Sequence, residues 1–251
     1  MIALFSSSLK TTEPLEKLIE RYISNEIIDS VGDAYRREGR LLLVGTVDVD
    51  SGAFVTWDMT RLAASTEPSR YDLYRKLLLA AASIPVLFPP VVIDGAMHVD
   101  GGVREQVFGA VFSDAANRAY NAFRESVTSD ERLRAEFTRR PAAYFIVNGQ
   151  LIVEKQCVKA KLLPIALRSI SVMLAEGMIG NIYKAKTIMA NWEFNLSRIP
   201  DDYQLESGSE EFEEAKMRRL FSAGHQWGKA HQWEHEIPPP GVSPWPCIES
   251  K

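Results

Sequence analysis

"VVIDGAMHVDGG", residues 91 to 102, sets two short apolar runs around Asp94-Gly95 and closes on an aspartate followed by two glycines. Asp-Gly between alternating residues is a pairing that two-residue hairpin loops prefer, because both central positions need a positive φ. The stretch predicts an antiparallel hairpin whose second strand delivers Asp100 at its end. An Asp-Gly pair in that place serves as a tight turn or as a carboxylate presented for chemistry. The flanking sequence has to decide between the two.

On the N-terminal side, "SRYDLYRKLLLAAAS" from Ser69 repeats apolar residues at helical spacing and runs into "IPVLFPP", where Pro85, Pro89 and Pro90 pin the chain. The uncharged run from Leu77 to Ile93 approaches membrane-span length, but those prolines would break a helix in its second half, so it reads as buried core. Further up, "LLLVGTVDV" and "AFVTW" flank the turn "DSG" as a strand pair. The unbroken apolar start from Leu41 to Val44 predicts a strand covered on both faces, as in a parallel α/β sheet. "TTEPLEKLIERYI" reads as an amphipathic helix capped by Thr12 with Pro14 in its first turn, and a second helix carries Ile28, Val31 and Tyr35 as far as "REGR". Downstream the pattern predicts helices over 114–138, a buried strand at "AAYFIVNG", a helix over 162–190 and a last amphipathic helix in "SEEFEEAKMRRLFSAGHQWGKAHQW".

Composition narrows the classes. A chain of 251 residues with 46% hydrophobic and 25% charged residues is expected to be an ordinary globular protein, read here as one domain over 1–251. A formal charge of -4 and a pI near 5.7 provide no basic field for a nucleic acid. Cys157 and Cys247 match no metal or redox spacing and read as plain thiols. "MIALFSSSLK" shows no basic start and no cleavage pattern, so a cytoplasmic chain is the default expectation.

With these elements in order, the chain resembles the patatin-like phospholipases, lipid acyl hydrolases of the α/β class. The residues that carry the resemblance are "GRLLLVGTVDVDSG", "WDM", "LLLAAASIPVLFPPV" and "HVDGGV", followed by "YFIVNGQL", "FNLSRIPDDY" and "GHQWGKAHQW" with its "PPPG" tail. The resemblance implies a three-layer sandwich with a mainly parallel sheet and a Ser-Asp dyad that hydrolyses phospholipid or other lipid esters, degrading lipid at a membrane surface without a cofactor or metal. In that dyad a serine in a Gly-x-Ser-x-Gly elbow attacks the ester, an aspartate in Asp-Gly-Gly takes its proton, and a glycine-rich loop holds the oxyanion. Carried onto this sequence, the aspartate is Asp100, and Gly101 and Gly102 would let the backbone pass close to substrate or to the elbow. Asp94 fits a looser form of the motif, but the hairpin turn already accounts for it.

The sequence departs from the family at the nucleophile. The only glycines spaced for an elbow are Gly224 and Gly228, with Gln226 between them, and the only adjacent pair is Gly101-Gly102. The expectation is an N-terminally truncated patatin-like domain, inactive alone, whose nucleophile lies on an upstream segment or a second chain. The place beside the strand that starts at Leu41 should then stand empty. The alternative is a noncatalytic remnant that binds lipid or a partner. The serines of "FSSSL", Ser6 to Ser8, read as a loop or helix approach. "HQWEH", His231 to His235, matches the H-x-x-E-H pattern of inverted zinc proteases, but only 16 residues follow for a third ligand, and a polar helix end explains it better.

Overall fold

The computed structural model describes Ser8 and residues 11–109, 141–153, 155–205, 213–230, 233–239, 241–242 and 248–249. The chain forms two compact units, Met1–Gln106 and Val107–Lys251.

In the first unit, α1 (Glu13–Tyr22) starts where Pro14 suits a first turn, although the Thr12 hydroxyl donates to Glu16 Oε1 at 2.6 Å and makes no side-chain cap to the backbone. The helix α2 (Asn25–Glu38) stops at Gly39, whose φ of 64° takes up the left-handed turn at the helix end. Strands β1 (Leu43–Asp48) and β2 (Phe54–Asp58) then form the first hairpin. "WDM" turns directly into α3 (Met59–Ala64), because Asp58 Oδ1 accepts from the Arg61 amide at 2.9 Å and from the Thr60 hydroxyl at 2.6 Å. The fourth helix, α4 (Arg70–Ala81), leads through the proline-pinned loop to β3 (Val91–Ile93) and β4 (Ala96–Asp100). In that loop Val86 has a φ of 72°, a left-handed conformation that is costly for a β-branched side chain.

The four strands make one sheet in the order β2-β1-β4-β3, and every neighbour in it is antiparallel. This corrects the expected mainly parallel sheet. The physical reason lies in the connections: β1 to β2 and β3 to β4 are joined by tight turns, far too short for the crossover that parallel neighbours require. The place beside β1 is also filled, since β2 pairs on one side of it and β4 on the other. Leu41 and Leu42, expected to open a strand covered on both faces, precede β1 and are exposed. The two-residue turn does form as read: Asp94 and Gly95 both take positive φ, 50° and 86°, between the paired Ile93 and Ala96.

One core holds this unit together. Val91 and Ile93 of the sheet pack with Ile28 of α2, Met59 and Ala63 of α3, and Tyr74, Leu77 and Ala80 of α4, with Val44 and Trp57 at the margin. The segment from Leu77 to Ile93, expected to be buried core, is so only in part: Leu77, Ala80, Leu87, Val91 and Ile93 are buried, whereas Ile84, Val86 and Val92 are exposed. The Arg70 guanidinium clips α4 to α2 through Asp29 Oδ1 at 2.5 Å, and Tyr71 donates to the same carboxylate; these bonds hold Asp29 below the usual carboxylate range.

In the second unit the described strand pairs are parallel. β5 (Ala142–Ile146) pairs with β8 (Glu193–Ser197), β6 (Ile152–Val153) with β9 (Gly241–Val242), and β7 (Gln156–Cys157) with β10 (Ile248–Glu249). The long helix α5 (Leu162–Ile188) returns the chain from β7 to β8 and buries Ile179, Ile182 and Ala185 against Phe145, Leu151 and Leu196. β5 is less buried than expected, with Tyr144 and Ile146 exposed. The last helix, α6 (Glu214–Lys229), ends before "HQWEH". Cys157 is disulfide-bonded, which corrects its reading as a plain thiol. The helices expected over 114–138 lie outside the described residues, as does Cys247.

Candidate active site

Asp100 closes β4 and at the same time caps a short 3-10 turn, Gly101–Val103. Its Oδ1 accepts from the Gly102 amide at 2.7 Å, which fixes the direction of the carboxylate. Its own amide donates to the Ser83 carbonyl at 3.0 Å, tying the strand end to the C-terminus of α4. The turn is held from beyond as well, because the Arg104 guanidinium donates to the Gly52 carbonyl in the β1–β2 hairpin. Burial pushes the Asp100 carboxyl up from its ordinary value, against the opposing pull of the Gly102 N–H.

The two glycines are required for different reasons. A β-carbon at Gly101 would stand 2.5 Å from the Gly45 carbonyl oxygen, so only glycine fits where the turn crosses β1. At Gly102 the same addition would come within 3.0 Å of Asp100 Oδ1, crowding the carboxylate that this amide holds. The close approach at Gly101 is to the backbone of Gly45, a contact within the fold.

A buried polar group next to Asp100 escaped the sequence reading. Thr46, which is fully buried, faces Asp100 in the β1–β4 register, and its hydroxyl lies 3.0 Å from His98 Nδ1. The Trp57 indole donates to the same hydroxyl at 2.8 Å, and its ring meets His98 edge-on at 5.6 Å between centroids. Strand alternation places His98 and Asp100 on one face, and the two-residue spacing in "HVD" was the available signal. Asp48, opposite His98, is held below the usual carboxylate range, chiefly by the Ser51 hydroxyl.

The other candidate residues lie elsewhere. Asp94 is at the hairpin turn, with an exposed side chain. Ser83 is buried and meets Asp100 through its backbone, while its hydroxyl donates back to the Leu79 carbonyl at 2.9 Å, as a serine at a helix end does. Ser6 and Ser7 lie outside the described residues, and Ser8 is in neither helix nor strand. "HQWEH" does not continue the last helix. Glu234 bridges to the backbone of Leu196 and pairs with Arg198 at 3.1 Å, His235 Nδ1 lies 3.1 Å from the Phe194 carbonyl, and His231 is outside the described residues. Among the described residues no group of His, Cys, Asp and Glu is placed to hold a metal ion.

A partly buried carboxylate at a strand end, fixed by the amide of the second of two following glycines, is placed to accept a proton. Residues 2–108 match the family model "Patatin-like phospholipase", so that segment is similar to the patatin-like phospholipases. No curated relative matches the chain.

Proposed function

We propose that this chain carries the base half of a lipid acyl hydrolase, with Asp100 as the proton acceptor of a Ser-Asp dyad and the serine supplied from outside these 251 residues. The observation that supports this reading is the held, partly buried Asp100 carboxylate at the end of β4, inside the segment that matches the patatin-like family. In the reaction, Asp100 takes the serine proton as the serine oxygen adds to the ester carbonyl. It returns that proton to the departing alcohol, and water then releases the acyl group by the reverse sequence. Burial favours this role, since a carboxyl raised above its ordinary value is a better proton acceptor. Gly102 holds one oxygen and so orients the other.

The substrate is a lipid ester, the class that the family's name implies. The lack of a Gly-x-Ser-x-Gly stretch supports an isolated chain without serine-esterase activity; a patatin-like unit that binds lipid without hydrolysing it is the second reading that the same absence favours. A fluorophosphonate probe separates them. The chain alone should not label, and it should label on a single serine once joined to a segment bearing the elbow. Labelling of one serine in the chain alone would show that the nucleophile is already present, and no labelling of the joined form would favour the binding unit.

A further inference from the structure

The long helix α5 presents two apolar stripes, and the core of its unit uses one of them. Ile179, Ile182, Ala185 and Met189, in and just after the C-terminal half, are buried. On the N-terminal half, Leu162, Ala166, Ile170 and Met173 recur at spacings of three and four residues and are all exposed, Leu162 at 88% and Met173 at 66%. By length and composition the helix is apolar enough to cross a bilayer; Ile179, Ile182 and Ala185 toward its C-terminal end are held in the core, and the exposed apolar residues of its N-terminal half are placed to meet a surface.

Charge indicates which surface. From Lys155 to Met173 the sequence has Lys155, Lys159, Lys161 and Arg168 and no acidic residue, in a chain whose net charge is -4. The three lysines are exposed and lead directly into the helix. Lys161 stands at the N-cap position without a side-chain cap, and no acidic residue occupies the first turn, so the positive end of the helix dipole is reinforced where proteins usually neutralise it. Three exposed lysines leading into an apolar stripe complement an anionic headgroup layer above acyl chains. A second copy suits the surface poorly, because an isologous contact centred on the stripe would set like charges against like.

We propose that the N-terminal half of α5, with the lysines that precede it, docks this chain on an anionic phospholipid surface: Lys155, Lys159 and Lys161 take the phosphates, and Leu162, Ile170 and Met173 enter the acyl boundary. The choice of lipid over protein rests on the phospholipase reading above, but docking requires no hydrolysis, so the two fail separately.

Vesicle co-sedimentation of the 251-residue chain tests it, using phosphatidylcholine alone and phosphatidylcholine mixed with phosphatidylglycerol. The chain should sediment with the mixed vesicles, less with the neutral ones, and less as salt is raised. K159E with K161E, and separately L162D with M173D, should each weaken sedimentation by about tenfold or more at unchanged circular dichroism, since all four side chains are exposed. Absence of sedimentation with mixed vesicles, equal binding to both compositions, or unaltered binding of either variant would overturn the proposal. A dimer in light scattering that M173D dissociates, without vesicle binding, would assign the stripe to a second copy.

Discussion

Gly101 passes directly over the backbone of Gly45, so closely that a β-carbon at 101 would stand 2.5 Å from the Gly45 carbonyl oxygen and 2.7 Å from its carbonyl carbon. Neither of those atoms belongs to a side chain that could swing away. Gly101→Ala should therefore force the turn off β1 and cost about 2–4 kcal/mol in urea unfolding. Gly102→Ala should cost less, about 1 kcal/mol, because its nearest contact is the rotatable Asp100 carboxylate at 3.0 Å. Equal costs for the two would mean that the turn does not lie on β1 as described.

Thr46 is the shared partner of two ring nitrogens, accepting from the Trp57 indole at 2.8 Å and lying 3.0 Å from His98 Nδ1. Thr46→Val keeps the shape and removes the hydroxyl, leaving both ring nitrogens without that partner in a buried place. A loss of about 2–4 kcal/mol is expected, against under about 1 kcal/mol for Thr46→Ser, which keeps the oxygen. Chemical denaturation followed by circular dichroism measures both. A Thr46→Val protein as stable as the serine variant would remove the network from the account.

The Asp100 carboxyl is raised above its ordinary value of 3.8 by burial, so the folded chain binds its proton more tightly than the unfolded chain does. The sign follows from linkage: the contribution to stability is whole below the unfolded value and is lost as pH rises through the raised folded value. Asp100→Asn, which stays neutral, should therefore gain on the wild type as pH rises from below 3.8 through the raised folded value. Paired urea titrations across that range test it, and a wild type that gains on the variant over the same interval would show the carboxylate to be stabilised in the fold.

How far the sequence could be read depended on the range of the interactions. Both hairpins were legible because their cause is local: Asp94-Gly95 needs positive φ at both positions, and "DSG" supplies the other turn. Sheet direction was not, because the apolar run at Leu41 looks alike whether helices or solvent cover it, and here Leu41 and Leu42 are exposed ahead of the strand. The place of Asp100 at a strand end was legible from "HVDGG", whereas its setting was not: Thr46 and Trp57 join His98 from 52 and 41 residues away, and such contacts leave no mark on local spacing. The disulfide at Cys157 was missed for the same reason, since two distant cysteines carry no motif. "HQWEH" misled in the opposite sense: its spacing suits a helix, but α6 has ended before it and Glu234 is taken up by Arg198.

The base assignment is tested most directly by comparing two aspartates in one catalytically complete protein. With the chain joined to a segment carrying a Gly-x-Ser-x-Gly elbow, Asp100→Asn and Asp94→Asn would be assayed on a short-chain nitrophenyl ester at matched circular dichroism. Asp100→Asn should abolish hydrolysis, losing at least about 10²–10⁴ in rate, because the amide keeps the shape but cannot accept the serine proton. Asp94→Asn should be nearly silent, since asparagine serves a turn at a φ of 50° as well as aspartate does. Equal losses, or a loss confined to Asp94→Asn, would contradict the assignment of Asp100 as the base.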